Sequence, residues 1–73
     1  MQRTPVKSSN IKSIGYEPET ETLEVEFLNG EIYQYDNVSL SIYEGLMNAS
    51  SHGKYFWQHI RDRYPTRKLR GNY

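Results

Sequence analysis

The turn dipeptide Asn29-Gly30 constrains the fold of this chain more than any other short segment. It follows the run TLEVEF, in which Leu23, Val25 and Phe27 alternate with glutamates, and it precedes the run IYQY. Strict alternation of apolar and polar residues is typical of a strand with one buried face. An Asn-Gly pair between two such runs is a strong hairpin signal. The segment therefore predicts a β-hairpin.

The length of the hairpin loop decides which face of the sheet carries Tyr33 and Tyr35. A loop of only Asn and Gly would place both tyrosines on the outer face, among the glutamates, where they could stack on a partner. A loop that begins one residue earlier, at Leu28, reverses this parity and turns both rings into the core. We predict the longer loop, with Gly30 in the left-handed region, because it gathers the apolar residues on one face. Its cost is the exposure of Ile32.

A further strand and two helices complete the predicted fold. Residues 10–16 are strand-like, with Ile11, Ile14 and Tyr16, and run into a Pro-containing turn. Residues 42–47 carry apolar side chains at helical spacing after a cap at Ser39 or Ser41. A second helix follows a break at residues 48–53 and ends before Pro65. We therefore predict a small α+β domain, a three-stranded antiparallel β-meander with two helices packed on one face.

Charge is strongly segregated along the chain, although the net charge is zero. Residues 13–51 carry eight acidic residues and no Lys or Arg, whereas residues 52–73 carry six basic residues and one acidic residue. Such asymmetry indicates either a bipolar surface or intramolecular pairing of the ends. Of the two, we expect the simpler arrangement, a solvated acidic sheet face opposite a basic helix.

Composition disfavours several classes of function. There is no cysteine, which excludes disulfides and thiolate metal sites. His52 and His59 lack the spacing of metal ligands, and no serine has an identifiable His–Asp partner set. We therefore expect no enzyme activity, no catalytic or metal-binding residues and no cofactor. Without a membrane-length apolar stretch or the apolar segment of a signal peptide, we expect a cytoplasmic monomer that does not bind membranes.

Two binding functions fit the C-terminal third of the chain. RNA binding is the first, because basic residues interleaved with aromatic ones can contact phosphates while the rings stack on bases. The candidate residues are Lys54, Arg61, Arg63, Arg67, Lys68 and Arg70. The alternative is a protein–protein interaction presented by Tyr55 and Trp57, since exposed Trp and Tyr side chains are typical of interface hot spots.

An ordered series of short motifs in this sequence resembles the KTSC domain family. The series includes Leu23-x-Val25-x-Phe27-x-Asn29-Gly30, the central Tyr33-x-Tyr35, Tyr43-x-x-Leu46 and Ala49-x-Ser51-x-Gly53-x-Tyr55-Phe56. Trp57 departs from the pattern, because a small polar residue is common there. Members of this family occur alone in bacterial and phage proteins and at the C-terminus of some lysyl-tRNA synthetases. The resemblance thus implies RNA or tRNA as a partner, without an established activity and without catalytic residues.

The predicted domain organisation follows from composition and from this resemblance. Residues 1–8 are polar and aperiodic, which predicts a flexible N-terminal arm. Residues 9–65 form a single KTSC-like domain in this interpretation, and residues 66–73 form a basic C-terminal tail.

Overall fold

One antiparallel sheet of five strands carries two helices on one face. The computed structural model describes residues 1–71. The strands are β1 (Arg3–Pro5), β2 (Ile11–Glu17), β3 (Thr22–Phe27), β4 (Ile32–Tyr35) and β5 (Thr66–Arg70), and the helices are α1 (Leu40–Asn48) and α2 (His52–His59). The strands lie in the order β1-β2-β3-β4-β5. The α+β class and the two helices are confirmed.

The predicted number of strands is wrong, because both ends of the chain join the sheet. Residues 3–5, within the predicted flexible arm, pair with β2, and residues 66–70, within the predicted tail, pair with β4. The sequence does not reveal these strands because they are short, polar and without alternation. They are extended because the edges of the central strands offer them hydrogen-bonding partners. Residues 72 and 73 of the predicted tail lie outside the described residues.

The central hairpin closes through the predicted three-residue loop. Val25 pairs with Tyr33, and Leu23 pairs with Tyr35. Gly30 has a φ of 92°, in the left-handed region that glycine adopts at little cost. Tyr35 is buried and Tyr33 is half-buried, both on the face that carries the helices. The expected register is therefore confirmed.

One apolar cluster fills the space between the sheet and the helices. Its buried members are Ile11, Ile14, Leu23, Val25, Tyr35, Val38, Leu46, Phe56 and Ile60. A shift in register between Ile11 and Ser13 marks a bulge in β2. An extra residue in a strand shifts the alternation of its side chains by one position. Ile11 and Ile14 therefore both point into the core, although side chains three positions apart in a regular strand point to opposite faces.

Serine caps begin both helices. The Ser39 hydroxyl accepts a hydrogen bond from the Ile42 N–H, and the Ser51 hydroxyl accepts one from the Lys54 N–H. Each satisfies a backbone donor that the first helical turn leaves unpaired. Helix α2 ends at His59, several residues before the predicted stop at Pro65. Among residues 1–71, no helix has the length and apolar character that crossing a membrane requires.

The sheet face opposite the helices is a buried ion-pair layer. Glu24 and Glu26 are only 5% and 7% exposed. Arg3 of β1 pairs with both carboxylates, and Arg70 Nη2 of β5 lies 3.2 Å from Glu26 Oε2. The expected solvated acidic face is therefore wrong at these two positions, where both ends of the chain neutralise the middle strand.

Neutral side chains also donate hydrogen bonds to the two buried carboxylates of this layer. Ser13 Oγ donates to a Glu26 oxygen over 2.9 Å, and Gln34 Nε2 donates to a Glu24 oxygen over 2.8 Å. Ile32 lies between its β3 partner Glu26 and its β5 partner Arg70. It is buried, contrary to the exposure expected from a sheet that ends at β4.

Tyr35 makes the stability of the fold sensitive to alkaline pH. Burial raises the pKa of its phenol above the ordinary value of 10.0. As the pH rises through about 10, the unfolded chain ionises first, so stability that is fully present at lower pH is lost. This loss amounts to up to ~1.4 kcal/mol of unfolding free energy per pH unit, and we expect Tyr35→Phe to abolish it. Urea unfolding of both proteins between neutral and strongly alkaline pH measures this, and parallel curves would contradict the account.

Candidate functional site: an aromatic groove

An open groove of about 800 Å³ lies between α2 and the β3–β4 end of the sheet. It falls within the size range of small-ligand sites. Its lining combines aromatic rings, the exposed side of α2 and the hairpin loop. The aromatic residues that line it are Phe27, Tyr33, Tyr35, Phe56 and Trp57. The fold therefore leaves part of the aromatic sheet face accessible instead of covering it with helices.

Ring contacts hold the floor of the groove together. Phe27 meets Tyr33 edge-on, with ring centroids 5.9 Å apart, and meets Phe56 edge-on at 5.4 Å. Tyr35 contacts Phe56 in the same way at 5.5 Å and lies 6.4 Å from Tyr33. Such pairs stabilise defined ring orientations as well as burying apolar area. The floor is consequently a preorganised apolar surface.

Two strongly exposed apolar side chains flank this floor. Trp57 of α2 is 60% exposed, and Leu28 of the hairpin loop is 56% exposed. They are the most exposed large apolar residues between positions 1 and 71, and both line the groove. The Arg61 guanidinium lies 3.6 Å from the centroid of the Trp57 ring, a cation–π contact. Concentration of exposed apolar area at one concave place is typical of a binding site.

The structure separates the six basic residues predicted to bind RNA. Lys54 lies on α2, and Arg61 and Arg63 lie just beyond its end. The other three lie on β5, and each has an acidic partner: Arg67 with Asp36 at 2.7 Å, Lys68 with Glu31 at 3.0 Å, and Arg70 with Glu26 at 3.2 Å. The positive charges of β5 are thus paired with acidic residues. Of the three basic residues on or just beyond α2, Arg61 lines the groove.

Two carboxylates also line the groove. Hydrogen bonds from Lys68 and Asn29 lower the pKa of Glu31, which is thereby held as an anion with its charge matched. Asp62 is exposed and reaches Arg61 Nε only at 3.9 Å. Among residues 1–71, no three His, Asp or Glu side chains come together as ligands of one metal ion would.

Tyr55 and Trp57, the predicted protein-binding pair, have different surroundings. Tyr55 is half-buried between the helices, with its ring 4.4 Å from that of His59. Gly45 of α1 allows this, because a Cβ there would lie 2.7 Å from Tyr55 Cζ. A glycine inside a helix often marks close packing of this kind. Only Trp57 of the pair stands on the open surface of the groove.

Leu28 is the groove residue that the sequence patterns do not single out. In the sequence it matters only through the length of the hairpin loop. Its exposure could have been inferred from the loop length. The first residue of a three-residue loop lies outside both strands, so its apolar side chain is not directed into the core. Asn10, which also lines the groove, carries no comparable signal.

Comparison with known proteins places the chain among its relatives. The sequence profile of the KTSC domain matches residues 7–64, a span that includes β2, β3, β4 and both helices. The chain belongs to the KTSC domain family. The crystal structure of a KTSC domain protein from Yersinia pestis superimposes with a TM-score of 0.89. Its sequence is 40% identical, and the match covers 93% of this chain and 96% of that one.

Two curated relatives show contexts in which similar domains occur. An uncharacterised protein of Stutzerimonas stutzeri is 41% identical over 58 residues, covering 80% of this chain and 82% of that protein. A lysine–tRNA ligase of Nostoc is 43% identical over 63 residues, covering 86% of this chain. The match spans only 11% of the ligase, so the domain is a small part of that enzyme.

Proposed function

We propose that this KTSC domain is a non-enzymatic module that binds single-stranded RNA in its aromatic groove. The observation that carries the proposal is the exposed Trp57 ring on the groove wall, with Arg61 stacked on it. Single-strand binders combine rings on which bases stack with cations that follow the backbone. Lys54 and Arg63 supply further positive charge from the same region. The module is non-enzymatic in this proposal because the sequence presents no nucleophile with a base partner.

The relationship to lysine–tRNA ligases supports RNA as the first ligand to test. Those relatives act on a tRNA, and each carries a segment homologous to nearly the whole of this chain. Recognition of unpaired bases by aromatic side chains is the usual route to RNA binding, because the deep groove of an RNA duplex is closed to side chains. A groove with an aromatic floor fits this mode.

The salt dependence of RNA binding is expected to be shallow. The basic residues of β5 already have acidic partners, so about three phosphates would be contacted, by Lys54, Arg61 and Arg63. For single-stranded RNA this gives a slope of log K against log salt concentration of about −2, whereas contacts from all six basic residues would give about −4. Anisotropy titrations of a labelled single-stranded octanucleotide at several salt concentrations measure the slope. A value near −4 would show that β5 takes part.

A matched pair of variants locates the phosphate contacts. Arg61→Ala with Arg63→Ala is expected to weaken binding and to reduce the slope to about −1. Arg67→Ala with Lys68→Ala removes the same charge from β5 and should leave the slope unchanged. The reverse ranking would move the RNA site to β5. Absence of binding to single-stranded RNA and tRNA at low salt would overturn the proposed function.

Protein binding is a second candidate, which the exposure of Trp57 beside Leu28 favours. An apolar side chain of a partner could enter the groove and contact both residues, as hot-spot anchors do. Affinity capture with the immobilised domain, with and without nuclease, separates the two candidates. A protein retained after nuclease treatment, and lost with Trp57→Ala but not with Leu69→Ala, would favour this function over RNA binding.

A further inference from the structure

We infer that the groove accepts one unpaired nucleobase while the flanking phosphates stay outside it. This inference rests on the proposed function and specifies which part of the RNA enters. It follows from three features of the groove: the charge of its lining, the number of open ring faces and the position of its cations.

The charge of the lining disfavours a phosphate in the interior. Asp62 and Glu31 both line the groove. The Glu31 charge is matched by Lys68 at 3.0 Å, but Asp62 is exposed and only loosely paired with Arg61. A phosphate entering the groove would be repelled by the Asp62 carboxylate, which no close cation among residues 1–71 neutralises. A neutral planar group meets no such barrier and gains contact with the aromatic floor.

The rings leave one open stacking face. Arg61 covers one face of the Trp57 indole at 3.6 Å, so the opposite face remains for a ligand. Tyr33 is half-buried, with Phe27 at its edge and Tyr35 beside it. Trp57 is therefore the only residue of the described chain that presents a largely exposed ring to the groove. One such face accommodates one base.

Arg61, the cation nearest the open ring face, lies where a phosphate beside that base would pass. Its guanidinium is stacked on Trp57 at 3.6 Å, whereas Lys68, on the Tyr33 side of the groove, is paired with Glu31 at 3.0 Å. A base stacked on Trp57 would therefore bring an adjoining phosphate close to Arg61, in keeping with phosphate contacts made from the α2 region and not from β5. A base within a duplex has both faces stacked, so the groove selects an unpaired one.

Oligonucleotides with equal numbers of phosphates and different numbers of bases test the inference. We would compare three octamers: one entirely of abasic tetrahydrofuran sugars, one with a single central adenine, and one of adenines throughout. Affinity is measured by anisotropy, and contact with the groove is measured by quenching of Trp57, the only tryptophan in the chain. The single adenine is expected to bind about 5- to 150-fold more tightly than the abasic octamer and to quench Trp57. The all-adenine octamer should bind more tightly than the single-adenine octamer only by the statistical gain from having eight bases that can each enter the groove.

Each other outcome has a definite meaning. Equal affinity of the abasic and single-adenine octamers would overturn the inference and leave RNA binding as a phosphate-driven reaction. An all-adenine octamer that binds far more tightly than its eight possible positions of the inserted base explain would replace a one-base groove by an extended stacking surface. Tighter binding of the single adenine without quenching of Trp57 would place the base elsewhere on the domain. Failure of all three octamers and of single-stranded RNA to bind would overturn the proposed function itself.

Discussion

Arg3→Ala is expected to destabilise the fold by about 3 kcal/mol, although this residue lies two positions from the start of the sequence. Arg3 pairs with both Glu24 and Glu26, which are buried. Without Arg3 the buried Glu24 carboxylate keeps, among residues 1–71, only the neutral donor Gln34, and a buried charge that loses its ionic partner is costly. Glu26, in contrast, keeps Arg70 at 3.2 Å. In a chain this short the loss is a large share of the total stability. Urea unfolding followed by circular dichroism measures it.

Two controls separate this effect from a general loss of surface charge. Lys12 is 62% exposed and reaches Glu26 only at 4.0 Å, so Lys12→Ala is expected to cost less than about 1 kcal/mol. Combining Arg3→Ala with Glu24→Gln removes the carboxylate whose ion pair with Arg3 is lost and should recover part of the stability. If Arg3→Ala behaved like Lys12→Ala, the buried ion-pair layer would contribute nothing measurable and the account of the fold would be wrong.

Trp57→Ala is expected to weaken the binding of single-stranded RNA by about 5- to 150-fold, the range for loss of one base–aromatic stack. The change removes the open stacking face and also the surface on which Arg61 is held. It should not unfold the domain, because the ring is largely exposed and contributes little to the apolar core. Anisotropy titrations with a labelled octanucleotide measure the loss of affinity.

The matched control for Trp57→Ala is Leu69→Ala. Leu69 is similarly exposed but lies on β5 and does not line the groove. Its replacement should leave RNA affinity within about twofold, and Trp57→Phe should retain part of the affinity because a smaller ring remains. Equal effects of Trp57→Ala and Leu69→Ala would show that RNA contacts the domain without using the groove.

The central hairpin is predictable from sequence because its determinants are local. The alternation before Asn29-Gly30 defines one buried face, and only the loop beginning at Leu28 gives the following strand the same facing. This parity is enough to assign Tyr33 and Tyr35 to the helix-bearing face. The serine caps are predictable for the same reason, since each acts within one turn of its helix.

The ion-pair layer is not predictable from sequence because it depends on pairing between distant segments. Arg70 and Glu26 are 44 positions apart, and Arg3 and Glu24 are 21 positions apart. An alternating strand indicates which residues leave the core face, but not whether other strands then cover them. The charge segregation does contain the signal, in bases at both ends and acids between them. It is compatible with pairing and with a bipolar surface, and only the sheet order distinguishes the two.

The groove is predictable only in part. The exposure of Trp57 follows from its position next to the inward Phe56 on α2. The depth of the groove does not follow from sequence, because it depends on where α2 ends over the sheet and on how far Leu28 projects. The same geometry redirects the search for RNA contacts from β5, whose bases are paired with acids, to the region around α2.

The most direct test of the groove as the binding site is a ¹⁵N–¹H correlation spectrum recorded during titration with a single-stranded octanucleotide. The chain has one tryptophan, so its indole N–H gives one unambiguous signal from the groove wall. We predict that this signal shifts together with the amides of Leu28 and Tyr33, while the amides of Lys12 and Thr20 remain unchanged. Shifts confined to β5 with a stationary indole signal, or a spectrum that RNA leaves unaltered, would contradict the account.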